Sequence, residues 1–265
     1  MPEICISISK SPGNFGTTLH NAGYKALGID YIYKALEIND LSEAIKAIKI
    51  LGIKGCSVSM PFKEDVIKYL DTTDENVEGC GACNTILNEN GKLKGFNTDV
   101  MSIYQLLSDI NIDRSDHILI LGAGGMAKAH LFTLKKLGYK NLTVAVRDLS
   151  KIKKNFDRFD VKFVDIKKNT EINSSILVNA TPIGMQDLVD GFDVVRPFLN
   201  RQKLIIDSVV SYEPTELIKY CEYKKINFID GFSLSLRQAS EQFKIYTGQN
   251  SPLAVMREAA QSLKK

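Results

Sequence analysis

The sequence predicts an α/β fold in two parts, the second of them a doubly wound parallel sheet. Short apolar strands alternate with amphipathic helices along most of its 265 residues. A glycine-rich turn sits between an apolar strand and a helix in the middle of the chain. The length exceeds the ~100–200 residues of one ordinary domain.

The elements follow in order. Ile4–Ser9 is an apolar strand, Thr17–Leu27 an amphipathic helix, and Gly28 its stop. Asp30–Leu36, rich in Tyr and Ile, is a second strand. Asp40 with Glu43 three residues on begins a helix whose Leu41, Ala44, Ile45, Ile48 and Leu51 keep helical spacing up to Gly52. Gly55–Met60 is a third strand. Asn90-Gly91, flanked by Thr85–Leu87 and Lys92–Phe96, marks a hairpin. Together these predict a largely parallel first sheet. Val100–Leu107 is helical, so a rigid element rather than a loose linker leads into the second part. There His117–Leu121 is a strand, and Ala127, Leu131, Leu134 and Leu137 share one helix face ended by Gly138. Further strands are expected at Asn141–Val146, Val161–Val164, Ile176–Asn179, Lys203–Asp207 and Asn227–Asp230, and two helical stretches run on from Phe232.

Composition narrows the function. The 34 basic and 31 acidic residues nearly cancel, without the concentrated basic patch of a nucleic-acid binder. No apolar run approaches the ~18 residues of a membrane span. Met1-Pro2-Glu3-Ile4 lacks a basic, then apolar, signal pattern, so a cytoplasmic protein with no membrane partner is expected. The odd number of cysteines, 5, suits reduced thiols. Cys80-x-x-Cys83 has no second pair at zinc spacing, so no metal is expected.

Gly122-x-Gly124-x-x-Ala127 follows a strand and opens a helix, the context of a Rossmann-like dinucleotide site. The first glycine allows the tight turn, the second lets backbone approach a pyrophosphate, and the small third residue lets helix and strand pack. Amides of Gly124, Gly125, Met126 and Ala127 at the helix start would meet the negative charge. At the end of the next strand an acid would bind a ribose 2′-hydroxyl, whereas an arginine accommodates a 2′-phosphate. The sequence offers both in Arg147-Asp148, with Lys151, Lys153 and Lys154 beyond. The basic residues outnumber the acid, which favours NADP through Arg147 and Lys151, with NAD as the alternative; Asp148 can instead cap a helix.

In the first part, Ser9, Ser11, Lys63, Asn84 and Asp99 all follow strand ends or open helices, where such sheets put ligands. A lysine beside an aspartate suits alcohol oxidation. The ammonium stabilises a developing oxyanion and, deprotonated, takes the hydroxyl proton, while the aspartate orients both.

With these segments in view, the chain resembles the shikimate dehydrogenase family. The resemblance rests on Ser9-Lys10-Ser11-Pro12, Val58-Ser59-Met60-Pro61-Phe62-Lys63, Ala82-Cys83-Asn84-Thr85, Asn97-Thr98-Asp99, Gly122-Ala123-Gly124-Gly125, Asn179-Ala180-Thr181-Pro182-Ile183-Gly184-Met185, and Asp230-Gly231 followed by Gln238. It implies an N-terminal substrate-binding and catalytic domain, 1–100 with 238–265. It also implies an NADP-binding Rossmann-like domain, 101–237, and a cleft between the two. It implies NADP-linked reduction of 3-dehydroshikimate, with Lys63 and Asp99 catalytic, and Ser9, Ser11, Ser59, Asn84 and Gln238 on the substrate. Thr181 and Gly231 join the glycine loop at the cofactor. A monomer or homodimer working on a small molecule follows.

Several positions depart from the family pattern. Ile8 stands for the usual histidine, Ser57 for asparagine, Ser59 for threonine, Val210 for the tyrosine of D-x-V-Y, and Val146-Arg147-Asp148 for N-R-T. The dyad is kept while the substrate periphery is changed, as in the shikimate dehydrogenase-like branch. Weak handling of shikimate itself is therefore expected, with another substrate, or ligand binding alone, as the alternative.

Overall fold

The computed structural model describes residues 1–152, 154–168, 172–185 and 191–263. The chain divides into two compact units, Met1–Ser102 with Leu236–Lys265, and Ile103–Ser235. The first unit contains β1 (Glu3–Ser9), α1 (Phe15–Leu27), β2 (Tyr31–Glu37), α2 (Leu41–Ile50) and β3 (Gly55–Val58). It continues with β4 (Thr72–Thr73), α3 (Glu75–Cys80), β5 (Thr85–Glu89), β6 (Lys92–Phe96) and the start of α4 (Thr98–Ser108). The second holds β7 (Ile118–Leu121), α5 (Gly125–Lys136), β8 (Leu142–Val146), β9 (Lys162–Asp165) and β10 (Ile176–Asn179). There follow α6 (Phe192–Val195), β11 (Leu204–Asp207), α7 (Glu216–Lys224) and β12 (Asn227–Ile229). The chain ends with α8 (Gly231–Thr247) and α9 (Leu253–Gln261).

In the first unit the strand order is β2-β1-β3-β5-β6-β4. The sheet is largely parallel, with β1 parallel to β2 and β3 and β4 parallel to β6, while β5 runs antiparallel to β3 and β6. The hairpin dictates this. Asn90 and Gly91 both take positive φ (55° and 84°), the two-residue turn that joins antiparallel neighbours. The third strand stops at Val58 rather than Met60, because Phe62 N–H bonds back to Ser59 O (3.0 Å) and Pro61 has no N–H for the ladder. Helix α2 begins as anticipated, with Asp40 accepting from Glu43 N–H at 3.0 Å, and buries Leu41, Ile45 and Ile48. With Ile6, Ile8, Val58, Phe62, Ile86 and Leu93 they form one core.

The second unit has the order β12-β11-β10-β7-β8-β9, and every pairing is parallel. Read from the first strand, this is the 3-2-1-4-5-6 order of dinucleotide-binding sheets, and the winding reverses between β7 and β10. Every residue of β7, β8, β10 and β11 is buried, as a sheet covered on both faces requires. No described helix is long and apolar enough to cross a membrane.

His20 of α1 lies fully buried and stacked on Tyr33, with ring centroids 4.4 Å apart. Burial pushes its pKa down from 6.5 to about 4, against a smaller opposing effect of the Gln242 side chain. The folded protein thus prefers neutral His20. That stability is complete above pH 6.5 and is lost as pH falls towards 4. Urea denaturation between pH 7 and 4.5 should show this loss, on the order of 3 kcal/mol at most, and His20→Phe should flatten that part of the slope. An unchanged slope would remove His20 as its source.

Candidate active site

Strand register brings the predicted residues of the first unit to one edge of its sheet. Ser7 lies opposite Ser57, Ser57 opposite Thr85, and Thr85 opposite Phe96. The ends of β1, β3 and β6 and the start of β5 therefore share that edge. Backbone bonds join their loops: Ser59 N–H to Ile8 O (3.0 Å), Lys10 N–H to Met60 O (3.3 Å) and Val58 N–H to Asn84 O (2.8 Å).

Lys63 is set in place from both sides. Phe62 is buried in the core, and Cys83 N–H donates to Lys63 O at 2.7 Å. Asp99 stands in the first turn of α4. That helix is capped by Asn97, whose Oδ1 accepts from Val100 N–H at 3.0 Å while its Nδ2 donates to Ala82 O at 2.6 Å. The result is a Lys63 Nζ–Asp99 Oδ2 ion pair of 2.6 Å, with the side chains 15% and 4% exposed. Burying two charges is costly unless they pair closely, and these do. Cys80 and Cys83 support the same corner as buried thiols. Cys80 Sγ accepts from Asn97 Nδ2 at 3.1 Å, and burial pushes the Cys83 thiol up to about 12. A thiol held neutral in this way is neither a ready metal ligand nor a nucleophile.

Asn84 is wholly buried beside the pair. Its Oδ1 accepts from Thr98 N–H (2.8 Å), Thr98 Oγ1 (3.1 Å) and Thr85 Oγ1 (2.9 Å). Its Nδ2 has no hydrogen-bond partner among the described residues. An unmet buried donor costs about 1–3 kcal/mol, and an oxygen-bearing ligand would satisfy it. Ser9 is buried at the end of β1, Ser11 and Ser59 are exposed, and Gln238 on α8 is half-buried.

The sequence reading missed Gln242, one helical turn beyond Gln238 and therefore on the same face of α8. Its Nε2 donates to Ser57 Oγ (3.0 Å), Thr85 Oγ1 (2.9 Å) and Asn84 O (3.4 Å). Ser57, one of the departures from the family pattern, is thus built into the wall beneath Asn84. The spacing from Gln238 was the only available signal.

In the second unit the glycine turn lies where the winding reverses. Gly122 has φ +101°, and a Cβ there would come within 2.9 Å of Thr181 Cγ2 and 3.1 Å of Ala180 O. A Cβ on Gly124 would meet nothing, so the space over it is open to a ligand. No side chain caps α5, which leaves the amides of its first turn, Gly125 and Met126 among them, for an anion. Ala127 is fully buried, as close packing requires. The arrangement fits a dinucleotide pyrophosphate. At Gly231 a Cβ would collide with the Val209 carbonyl, so glycine there serves packing.

Arg147 is exposed just past β8. Asp148 is occupied as a cap, its Oδ1 accepting from Ser150 N–H (3.0 Å) and Ser150 Oγ (2.6 Å). The side chains of Lys151 and Lys154, and all of Lys153, lie outside the described residues. Val210 is 45% exposed and supplies no hydroxyl, with Ser211 and Tyr212 next to it.

Gln242→Leu should destabilise the protein by about 1–3 kcal/mol, because it removes the amide that donates to the Ser57 and Thr85 hydroxyls. Chemical denaturation measures this, and an unaffected midpoint would show that the three bonds carry little.

Comparison with known proteins follows the same lines. A family model described as the shikimate dehydrogenase substrate binding domain matches residues 5–86. A shikimate dehydrogenase-like protein of Haemophilus influenzae is 34% identical over 260 residues, covering 97% of this chain and 95% of that protein. A shikimate dehydrogenase (NADP(+)) of Pyrococcus furiosus is 35% identical and covers 91% of this chain and 89% of its own. Among solved structures, a shikimate dehydrogenase in complex with NADP+ superposes with a TM-score of 0.87 at 29% identity, covering 100% of this chain and 96% of that one. A quinate dehydrogenase from Corynebacterium glutamicum in complex with NAD gives 0.87 at 26% identity, with 99% of each chain covered. With relatives of this similarity along nearly its full length, the chain belongs to the shikimate dehydrogenase family of oxidoreductases.

Proposed function

We propose that the protein is an NADP-dependent oxidoreductase that interconverts a 3-dehydroshikimate-like ketone and its alcohol, shikimate or a related cyclohexene or cyclohexane carboxylate. The observation that carries this is the buried 2.6 Å pair of Lys63 and Asp99 beside the unmet donor of Asn84. A protein that only bound a carboxylate would have no need to bury both an ammonium and a carboxylate, whose desolvation costs several kcal/mol per ion.

In this reading Asp99 holds the reacting hydroxyl and the Lys63 ammonium together. On reduction of the ketone, Lys63 donates the proton that the new alkoxide takes up; on oxidation it accepts the hydroxyl proton. Its charge also stabilises the oxyanion as it develops. Asn84 Nδ2 donates to a ring hydroxyl, and Ser9, Ser11, Ser59 and Gln238 hold the carboxylate and the remaining hydroxyls. NADP, when bound, supplies or accepts the hydride. Gly122, Gly124, Gly125, Met126 and Ala127 would hold its pyrophosphate, with Thr181 and Gly231 near them and Arg147 on the 2′-phosphate. The engagement of Asp148 Oδ1 by Ser150, with Arg147 exposed beside it, supports NADP over NAD. Ile8, Ser57 and Val210 support a substrate other than shikimate, with quinate-like acids within the class. The free, buried cysteines suit the reducing cytoplasm, where a monomer or homodimer would work.

The direct test follows absorbance at 340 nm with NADP+ or NAD+ and shikimate, quinate or aminoshikimate. An NADP+-dependent rise with at least one acid is expected, and no rise with any pair contradicts the proposal. Lys63→Ala should lower kcat by about 10²–10⁴ while changing substrate Kd far less; wild-type kcat would remove Lys63 from proton transfer. Arg147→Ala should raise the KM for NADP and leave that for NAD nearly unchanged, because a charge-assisted arginine–phosphate contact is lost. Equal effects on both would place the 2′-phosphate elsewhere.

A further inference from the structure

At the ends of β10 and β11 the second unit holds a buried carboxylate that the proposed reaction does not use. Asp207 lies opposite Asn179 in the strand register. Its Oδ1 accepts from Asn179 Nδ2 (2.9 Å) and Val209 N–H (3.2 Å). Its Oδ2 accepts from Thr215 Oγ1 (2.6 Å), the hydroxyl that also caps α7 by accepting from Ile218 N–H (3.2 Å).

This acceptor, together with Ile183 O and Thr181 N–H, sets the orientation of a neighbouring amide. An ionised carboxylate can only accept, so the Asn179 side chain must turn its NH₂ towards it. The same Nδ2 also donates to Ile183 O at 3.0 Å. Asn179 Oδ1 then faces the other way and accepts from Thr181 N–H (3.2 Å) and Thr181 Oγ1 (2.6 Å). Thr181 Oγ1 in turn accepts from Ile183 N–H at 3.2 Å. These bonds shape the turn at residues 180–184, and it is this turn that Gly122 touches. The glycine loop and the turn after β10 flank the place where the winding reverses, which is where such sheets bind dinucleotides.

We infer that Asp207 is a positioning residue: through the Asn179 amide it holds the 180–184 turn in the form that receives the dinucleotide against Gly122. The inference rests on the reading of the second unit as the NADP site.

The energetics of Asp207 support a purpose other than stability. Burial raises its pKa from 3.8 to about 6, against the bonds from Thr215, Val209 and Asn179, and the charge of Asp230 at the end of β12 adds to the rise. The Cys221 thiol of α7 faces it too and is itself pushed up to about 12, chiefly by burial. The fold therefore prefers the protonated acid. That preference stabilises fully below pH 3.8 and is lost as pH rises through about 6, so at neutral pH the charge is held at a cost. An asparagine of the same shape would not carry that cost. It can also donate, however, and so removes the charged, accept-only partner that, together with Ile183 O and Thr181 N–H, holds the amide of residue 179 in place.

The test uses the full chain and Asp207→Asn, with NADPH as the probe. Fluorescence titration at pH 7.5 should show binding weakened about tenfold, the worth of one mis-set charge-assisted contact. Thermal unfolding should give a Tm equal to or above wild type at pH 7.5, with the difference vanishing towards pH 4. Stability kept and affinity lost is a combination that a merely structural carboxylate would not give. Wild-type NADPH affinity in the variant overturns the inference alone. A variant Tm below wild type at pH 7.5, or failure to fold, makes Asp207 a stability element and overturns it as well. A wild-type protein that binds no dinucleotide removes the reading of the second unit and this inference with it.

Discussion

The site edge of the first unit is organised around one ion pair, Lys63–Asp99, held at 2.6 Å with little access to water. Such a pair persists only if both partners arrive together and pre-set, because either charge alone would be left buried and uncompensated. The surroundings meet that condition by short-range means. Asn97 caps α4 and so aims Asp99, while the Phe62 anchor and the Cys83 amide hold Lys63. Asn84 then ties the start of α4 to the start of β5. The antiparallel hairpin β5–β6 is the enabling feature, since it returns the chain to the edge where β1 and β3 end.

The second unit solves the opposite problem. Its sheet is wholly parallel and buried, and what it presents at the switch in winding is backbone rather than paired charges: a glycine turn, an uncapped helix start and the turn after β10. Two of its strand-end carboxylates have different surroundings. Asp148 is exposed and caps a short 3₁₀ turn, while Asp207 is buried and orders an amide. Sequence position alone makes the two look alike, since each follows an apolar strand.

Elements governed by local chemistry were legible in the sequence. The buried parallel strands read as unbroken apolar runs, Asp40 and Gly28 marked helix ends, and Asn90-Gly91 marked the hairpin. The short pieces β4 and α3 carried too few residues for any periodicity. Lys63 and Asp99 were legible as types at strand ends, and the family resemblance paired them; the 2.6 Å contact is a property of the fold. Gln242 was not legible, because its partners Ser57, Asn84 and Thr85 lie more than a hundred and fifty residues away in sequence. The Asn179–Asp207 bond was hidden in the same way, in the register of two strands that the sequence does not align.

If Lys63 and Asp99 act as one unit in proton transfer, a double-mutant cycle will show it. The measurement is kcat/KM for wild type, Lys63→Met, Asp99→Asn and the double variant, with the acid that turns over fastest. Residues that act as a unit are strongly non-additive. Each single change should cost about 10²–10⁴, and the double change no more than the worse single one. Losses that multiply in the double variant would contradict a single unit, because they would mean that the two side chains contribute independently.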